Sequence, residues 1–353
     1  MRLLIVLLLF SVASAQAEDY SQQLDYLESI RLKEIQTTKQ KLAKLEPSFE
    51  QFSDFEKARF LNLKAHSLFV GGEINQGIAV AEQVAKFTTD FDQLARARSL
   101  LTSAYAMSGN YKEFFIGVYE LLDDLHKVQS NELRQAILSN ALTRHTSARV
   151  FDKARELANK ALSYGFRSNE KMFVCNAYIE LARIEILSEN SNAARVTLDK
   201  AEPTCTKQAI PMIDSLIVFL GAQIDQMQGK PQQALKKLEQ LKPSLEDNGW
   251  KAIIVLADVL SAELHLAIGD AKTAEQLALA AYHYTKAQND LEILKDACEL
   301  LSKYYAKIGD DEKSKQFYQE FLEVSVEFYS QVESKRMAYY QAMNYRAKQS
   351  LAE

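Results

Sequence analysis

The feature that most constrains this chain is a turn that returns every 40 residues. Gly229, Gly269 and Gly309 are spaced by 40 residues each time, and each lies between apolar segments with helical periodicity. A glycine at this place predicts the end of one helix, and a polar residue after it, such as Asp270, predicts the start of the next. Repetition of such a unit is typical of a helical solenoid, because each helix pair buries its apolar face against the next.

The same register continues toward the N-terminus, where other residues replace some glycines. The earlier turns fall at Gly72, Gly109, Arg149 and Glu189, with a first interval of 37 residues and 40 thereafter. Five residues after each turn lies a generally small residue that lets the two helices approach closely. This column consists of Gly77, Phe114, Ala154, Ala194, Ala234, Ala274 and Ser314. The pattern is that of a tetratricopeptide repeat lengthened by about six residues per unit.

The sequence therefore predicts an all-α, right-handed superhelical solenoid of about seven tetratricopeptide-like helix pairs. Only 11 glycines and 5 prolines occur, and strand-like alternation is hard to find. We divide the chain into a signal peptide (1–17), an N-terminal capping helix (18–53), a repeat array (54–325) and a C-terminal helical extension (326–353). A single helix is predicted over 20–45. The alternative fold is an irregular helical bundle.

The last helix is predicted to be unusually long. No glycine or proline interrupts the chain from Glu312 to Lys348. Such a helix either folds back as a cap over the final repeat or projects as a stalk. It has an apolar side that needs a partner, formed by Phe328, Tyr329, Val332, Met337, Tyr340 and Met343.

The first residues indicate export. Arg2 precedes an apolar run over 3–12, and small residues then lead to Ala15 and Ala17, which is the pattern of a cleavable signal peptide. A membrane anchor would need about 20 apolar residues, and polar Gln16 comes too early for that. No later segment is apolar enough to span a bilayer. We therefore expect a soluble periplasmic protein.

Three cysteines occur, and two of them are expected to pair. In the repeat register, Cys175 opens the first helix of the fourth pair and Cys205 follows the end of its second helix. Antiparallel packing brings these ends together, and an oxidising compartment favours a disulfide. The alternative is two unpaired thiols. Cys298 has no partner in register and is expected to be buried as a small apolar residue.

The sequence holds no recognisable catalytic set. Its five histidines are scattered over different repeats, and no two of them stand four residues apart beside a glutamate, as a zinc-protease helix requires. The sequence also has no glycine-rich phosphate-binding loop and no nucleophile elbow. The net charge of −5 with interspersed signs lacks the basic footprint of a nucleic-acid-binding protein. We expect no enzymatic activity, no cofactor and no metal.

The remaining candidate for function is the concave face that first helices line in a tetratricopeptide superhelix. A polar groove containing guanidinium groups suits a peptide segment, a carboxylate or a small polar ligand. Arg96 and Arg183 are the first residues to test, because neither shows an obvious local acidic partner in the sequence. The alternative is that all these residues are ordinary solvated helix positions. The candidates are Arg59, Asn62, His66, Arg96, Ser99, Ser103, Ser139, Thr143, Asn176, Arg183, Gln223, Gln226 and Glu263.

The layout resembles the extracytoplasmic tetratricopeptide sensor region of membrane-bound GGDEF-type diguanylate cyclases. The resemblance rests on the segments FEKARFLNLKAHSLFVGGEINQGIAVAEQV, ARSLLTSAYAMSGNYKEFFIGVYELL and VCNAYIELARIEIL followed by EPTC, and on KYYAKIGDDEKSKQFYQEFLEV with KRMAYYQAMNYRAK. In that group the terminal helix leads to a membrane span and a cyclase domain. Here the sequence ends at Glu353 before either. We therefore expect a sensor module that either evolved as such or was left by truncation of a longer receptor.

Two functions follow as predictions. The first is an exported, non-catalytic module that recognises a protein or peptide in the cell envelope. The alternative is a ligand-sensing input domain that signals through its C-terminal helix to a membrane-bound diguanylate cyclase or another membrane partner.

Overall fold

The computed structural model describes residues 20–31, 34–206, 211–248 and 251–351, and the predicted signal peptide lies outside them. Helices and turns make up this part of the chain, with no strand. The helices are α1 (20–30), α2 (Ile35–Leu45), α3 (Asp54–Val70), α4 (Ile74–Ala81), α5 (Phe91–Met107), α6 (Tyr111–Asp123), α7 (Asn131–Ser147), α8 (Phe151–Ser168), α9 (Lys171–Leu187), α10 (Ser191–Cys205), α11 (Pro211–Met227), α12 (Pro231–Asn248), α13 (Lys251–Ile268), α14 (Ala271–Gln288), α15 (Leu291–Ile308) and α16 (Asp311–Ser350).

The predicted turns are the turns of the structure, and all seven share one backbone conformation. The residue at each turn position has a positive φ: 71° to 93° at the five glycines, 57° at Arg149 and 58° at Glu189. A left-handed residue at the end of a helix lets the next amide groups bond back to the last turn. Because Arg149 and Glu189 occupy two of these turns, the turns are identified by their spacing along the sequence and not by glycine alone. The fold is that of a tetratricopeptide-like helical solenoid.

The column after the turns is buried in the first six pairs, as expected, whereas Ser314 in the last pair is partly exposed. Phe114, Ala154, Ala194 and Ala234 are each fully shielded from solvent, and the side chains four and seven residues further on also face the core in most pairs. The last pair departs from this pattern, since Tyr318 is 51% exposed. In α16 the neighbouring Phe317 turns inward instead and stacks on Tyr305.

The prediction of one helix over 20–45 is wrong in detail, because two helices occupy this segment. Helix α1 covers 20–30 and α2 begins at Ile35. The apolar residues of both helices join one core cluster, which a single straight helix could not form from both its ends. That cluster consists of Leu24, Leu27, Ile30, Leu42, Leu45, Phe52, Phe60 and Leu63.

The chain divides into two compact units, of which the first comprises 1–140 and 338–353. It contains α1–α6, the start of α7 and the end of α16. In this unit the end of α16 packs on α6: the Tyr339 ring lies 5.5 Å from that of Phe115, and Arg346 pairs with Asp123. The C-terminal residues are thus held by α6.

The second unit, 141–337, contains the rest of α7, helices α8–α15 and most of α16. Its core is a continuous layer of apolar side chains contributed by successive helices. The part of α16 in this unit packs on the helices before it, where Phe317, Val324, Phe328 and Val332 are buried. The helix does not fold back, since it is continuous from Asp311 to Ser350, and this part of it is packed against the repeats and does not project as a stalk. The boundary drawn at 325/326 falls inside α16.

Cys175 and Cys205 form a disulfide in the core of the second unit. Their Cα atoms are 5.0 Å apart and 30 residues separate them in sequence. Cys298 is free and buried, and burial raises the pKa of its thiol to about 12. A thiol with so high a pKa is protonated and unreactive at neutral pH.

Candidate binding sites on the first helices

The larger of two candidate sites lies in the second unit, where α11, α13 and α15 face one another. They enclose a cavity of about 310 Å³ that we call the acidic groove. Its walls combine aliphatic and aromatic side chains with a few polar groups, as small-ligand and peptide sites do. The lining residues are Phe219, Gln223, Gln226, Leu256, Val259, Leu260, Glu263, Leu266, Ala267, Ile293, Asp296, Glu299, Leu300 and Lys303.

The charged side chains of the acidic groove are mostly carboxylates. Glu299 is neutralised by Lys303, with 2.6 Å between Nζ and Oε1, and Asp296 pairs with Lys295. Glu263 is exposed and forms no hydrogen bond or ion pair with the described residues. Desolvation in the concave wall raises the pKa of Asp296, although Lys295 opposes the shift. The groove therefore carries net negative charge against an apolar wall.

The repeat register explains which residues meet in the groove. Gln223, Glu263 and Lys303 are equivalent positions, 40 residues apart, on α11, α13 and α15. Gln223, Gln226 and Glu263 are sequence-predicted residues, whereas no residue of α15 was predicted. Extending the same spacing by one more step from Glu263 would have reached Lys303.

The second candidate site lies in the first unit and is a cavity of about 30 Å³ between α1, α3 and α5. We call it the Arg96 pocket. It is lined by Glu28, Arg31, Asn62, Leu63, His66, Arg96 and Leu100. Three of the sequence-predicted residues thus meet around one small space, together with Glu28 of α1 and Arg31, which follows α1.

Arg96 forms no ion pair with a described carboxylate, although the charges of Glu132, Glu28 and Asp92 act on it. Asp92 accepts from the backbone amides of Gln129 and Ser130. Glu28 accepts from Arg59, with 2.9 Å from Nε to Oε1, and Glu132 pairs with Arg31. Among the described residues, Arg96 forms no hydrogen bond or ion pair. Burial, and then the charge of Arg31, lowers its pKa. The guanidinium stays charged all the same, since arginine is not deprotonated in proteins.

Asn62, which also lines this pocket, has a buried acceptor without a donor in the described part of the chain. It is 2% exposed, and its amide nitrogen donates to the backbone oxygen and to Oε1 of Gln93, at 3.1 and 2.9 Å. Its Oδ1 is buried and has no partner among the described residues. An unmet buried acceptor costs about 1–3 kcal/mol. Burial, followed by the charges of Arg31 and Arg96, lowers the pKa of His66, so this imidazole is neutral at neutral pH.

The other predicted residues line neither cavity. Ser103 accepts from Asn140 at 3.1 Å and donates to the backbone oxygen of Ser99. Asn176 is partly buried on α9, Ser139 is partly buried on α7, and Thr143 is exposed there.

Two predicted arginines are engaged by carboxylates. The expectation that Arg183 lacks an acidic partner is wrong, because Glu180, one helical turn earlier, pairs with it at 2.9 Å. Arg59 is 6% exposed and pairs with Asp25 and Glu28, so it joins α3 to α1 and is not a free groove residue.

Arg31 and Glu28 of the Arg96 pocket were missed by sequence reasoning. Glu28 lies on α1 and Arg31 directly follows this helix, both outside the repeat register, and no spacing relates them to Asn62 or Arg96. Only the packing of α1 against α3 and α5 brings them there.

Solved structures with the same fold show which proteins the chain resembles. No protein-family model matches the sequence, and no curated protein matches it. A Rap protein in complex with Competence and Sporulation Factor superimposes with a TM-score of 0.62 and 10% identity, covering 89% of this chain and 99% of that one. The apo form of RapI gives 0.63 and 14%, covering 78% and 99%. The apo form of the quorum sensor NprR from B. thuringiensis gives 0.67 and 11%, covering 87% of each chain. At these identities the likeness establishes the fold alone.

Within the described residues, no helix combines the length and the apolar content that crossing a bilayer requires.

Proposed function

We propose that this chain is an exported, non-catalytic helical-repeat module that binds a peptide or protein segment in the acidic groove. The single observation that carries the proposal is the composition of that groove: an apolar wall with carboxylates that its lysines do not fully neutralise. Such a surface suits a segment with apolar side chains and one basic group, either a lysine or arginine side chain or an N-terminal amine.

Two further points support a binding role. The groove is formed at one register position of three consecutive first helices, so a linear segment could contact the repeats in succession. A Rap protein with the same fold has been solved with Competence and Sporulation Factor bound, and NprR is a quorum sensor. We extend ligand binding to this chain as a proposal. Export rests on the N-terminal segment.

The test is a screen of the full chain against an array of random nonapeptides. We expect bound peptides to be enriched in apolar residues and in lysine or arginine. Glu263→Lys should abolish this preference, because it reverses the charge in the groove. Glu239→Lys makes the same charge change on an exposed position of α12 and should leave binding unchanged. Enrichment that survives Glu263→Lys, or no enrichment by the folded chain, would contradict the proposal.

A second function is favoured by a specific surface of α16. Tyr318, Leu322, Val326 and Tyr329 are 46–73% exposed and lie on one face of the helix. Such a stripe would suit signalling through the terminal helix to a membrane partner, such as a membrane-bound diguanylate cyclase. Deleting 331–353 is a poor test, because it removes the buried Val332. Val326→Lys with Tyr329→Lys changes the exposed stripe alone. This function requires the double variant to stop a photo-crosslinker at Ser330 from capturing a membrane protein.

A further inference from the structure

A third cavity lies outside the helix pairs, between α1 and α2 of the first unit, and we call it the α1–α2 groove. Its volume is about 440 Å³, which lies within the roughly 300–1,000 Å³ of small-ligand sites. Its lining includes Leu27 and Leu45, which are both buried, while the other lining side chains are polar or aromatic. The groove is therefore large enough to take a whole small molecule.

The charged groups of the α1–α2 groove are all cations. Lys41 and Lys44 line it from α2, and the lining contains no carboxylate. Neither ammonium group forms a hydrogen bond or an ion pair with the described residues. Asp25 on α1 is held by Arg59, and Glu34 precedes Lys41 by seven residues of helix, about 10 Å. Two exposed cations of one sign in a concave surface favour an anionic ligand.

The uncharged polar groups of the groove are amides and a hydroxyl. None of these side chains forms a hydrogen bond within the described chain. Each of them can donate and accept at the same time, as the neighbouring hydroxyl groups of a sugar also can. A simple carboxylate or phosphate only accepts, and it would leave the amide oxygens unused. The residues are Gln22, Gln23, Thr37 and Gln40.

Tyr26 adds an aromatic surface to the same groove. Lys41 Nζ lies 5.0 Å from the centre of its ring, and the residue remains 44% exposed. A sugar ring carries C–H groups between its hydroxyls, and these can pack on an exposed aromatic ring. The cation–π contact holds the Lys41 ammonium beside the ring. An acidic group attached to a sugar on Tyr26 would therefore lie close to this cation.

We propose that the α1–α2 groove is a binding site for an acidic saccharide, in which a sugar ring bears a carboxylate. The hydroxyl groups hydrogen-bond with the glutamine amides, the C–H groups pack on Tyr26, and the carboxylate pairs with Lys41 or Lys44. The proposal does not rest on the function proposed for the acidic groove, which lies in the second unit and carries the opposite charge.

The first experiment measures binding to the full chain by saturation-transfer NMR with three probes. Digalacturonate carries sugar rings and carboxylates, its dimethyl ester keeps the rings without the charge, and N-acetyl-Glu-Glu amide keeps two carboxylates without a sugar. We expect digalacturonate to bind at least about tenfold more tightly than either of the others. Equal binding of the ester, or no binding of digalacturonate at about 10 mM, would overturn the proposal. Equal or tighter binding of the dipeptide would assign the groove to acidic peptides and would also overturn it.

Charge-removing variants test whether the two lysines act on the ligand. Lys41→Gln with Lys44→Gln should lower digalacturonate affinity at least about tenfold without a change in melting temperature, because both side chains are exposed and unpaired. Lys236→Gln with Lys242→Gln makes the same change in net charge at exposed positions of α12 and should keep full affinity. Full affinity in the α2 variant, or an equal loss in the α12 control, would refute the site.

Variants of Tyr26 test the contact with the sugar ring. Tyr26→Phe keeps the aromatic face and should keep the affinity for digalacturonate, whereas Tyr26→Ala should lower it about fivefold. Equal affinity of the two variants would contradict the proposed packing. Glu263→Lys in the acidic groove should leave digalacturonate binding intact, so failure of one site is distinguishable from failure of the other.

Discussion

Arg155 on α8 donates its Nε and Nη2 to the two carboxylate oxygens of Glu185 on α9, at 2.7 and 3.1 Å. Forty residues later, Arg195 on α10 pairs with Asp225 on α11. The carboxylate side chains are only 9% and 4% exposed. The same ion pair thus joins the second helix of one pair to the first helix of the next, at the same register position.

Breaking the first of these pairs should weaken the stack of repeats. Arg155→Ala leaves Glu185 buried and without its main partner, and we expect a loss of about 1–3 kcal/mol in the free energy of unfolding. The measurement is urea unfolding followed by circular dichroism. The double variant Arg155→Met with Glu185→Leu should recover most of the loss, because no charge is then left unpaired. Equal destabilisation by the single and double variants would show that packing alone is responsible.

The disulfide should contribute to stability by limiting the unfolded chain. Cys175 and Cys205 have a sequence separation of 30, so loss of the bond should cost about 3–4 kcal/mol in the chain-entropy model. We expect reductant to lower the melting temperature of the wild-type chain. Cys298→Ala tests the free thiol, and its response to reductant should equal that of the wild type. A Cys175→Ala, Cys205→Ala variant that still responds to reductant would contradict this assignment.

His145 should make the fold sensitive to acid. Its side chain is fully buried, its Nδ1 lies 2.6 Å from the Ala141 oxygen, and desolvation lowers its pKa from 6.5 to about 4. Below pH 6.5 the unfolded imidazole binds a proton that the folded one does not, so the free energy of unfolding falls as the pH falls to about 4. The expected total is about 3 kcal/mol.

The measurement for His145 is unfolding of the wild type and of His145→Gln between pH 7 and pH 4. Carboxylates contribute to both curves, so the difference between them isolates the imidazole. His126→Gln, at an exposed position, should follow the wild type. Parallel curves for the wild type and His145→Gln would rule out the role given to this residue.

At the turn positions, gaining a glycine and losing a glycine should change the stability in opposite directions. Glu189 is exposed and has φ 58°, a conformation that costs a residue with a side chain about 1 kcal/mol. Glu189→Gly should stabilise by up to about 1 kcal/mol, less the entropy that glycine adds to the unfolded chain. Gly229, with φ 71° and open space around it, should lose about 1 kcal/mol as Gly229→Ala. Thermal unfolding measures both, and a shift of the same sign for both would contradict the argument.

The turns also show how far sequence reasoning reached. Arg149 and Glu189 carry no turn signal themselves and were located by spacing alone. The turns between pairs were not assigned, although Asn169 and Asn289 take the left-handed conformation there. Asparagine is one of the few residues that adopts it readily, so that signal was present in the sequence.

The candidate sites were predicted only in part. Counting along the repeat register placed Asn62, His66 and Arg96 on two neighbouring first helices. It placed Gln223 and Glu263 on another two neighbouring first helices. The repeat register could not show that Arg183 forms an ion pair and Arg96 does not. Whether an arginine is paired depends on the direction of its side chain and on which other cations compete for the nearby carboxylates. Glu28 and Arg31 could not be placed there, because two helices occupy 20–45, where one was predicted.

The sequence by itself determined the helix pairs, their turns and the buried columns, because these depend on local conformation and on a period repeated along the chain. Only the tertiary structure decided which polar groups are satisfied. Glu28, Asp25 and Glu132 are held by Arg59 and Arg31, which leaves Arg96 and Asn62 Oδ1 without partners among the described residues. That outcome depends on distances between side chains far apart in sequence, and no repeat period encodes those distances.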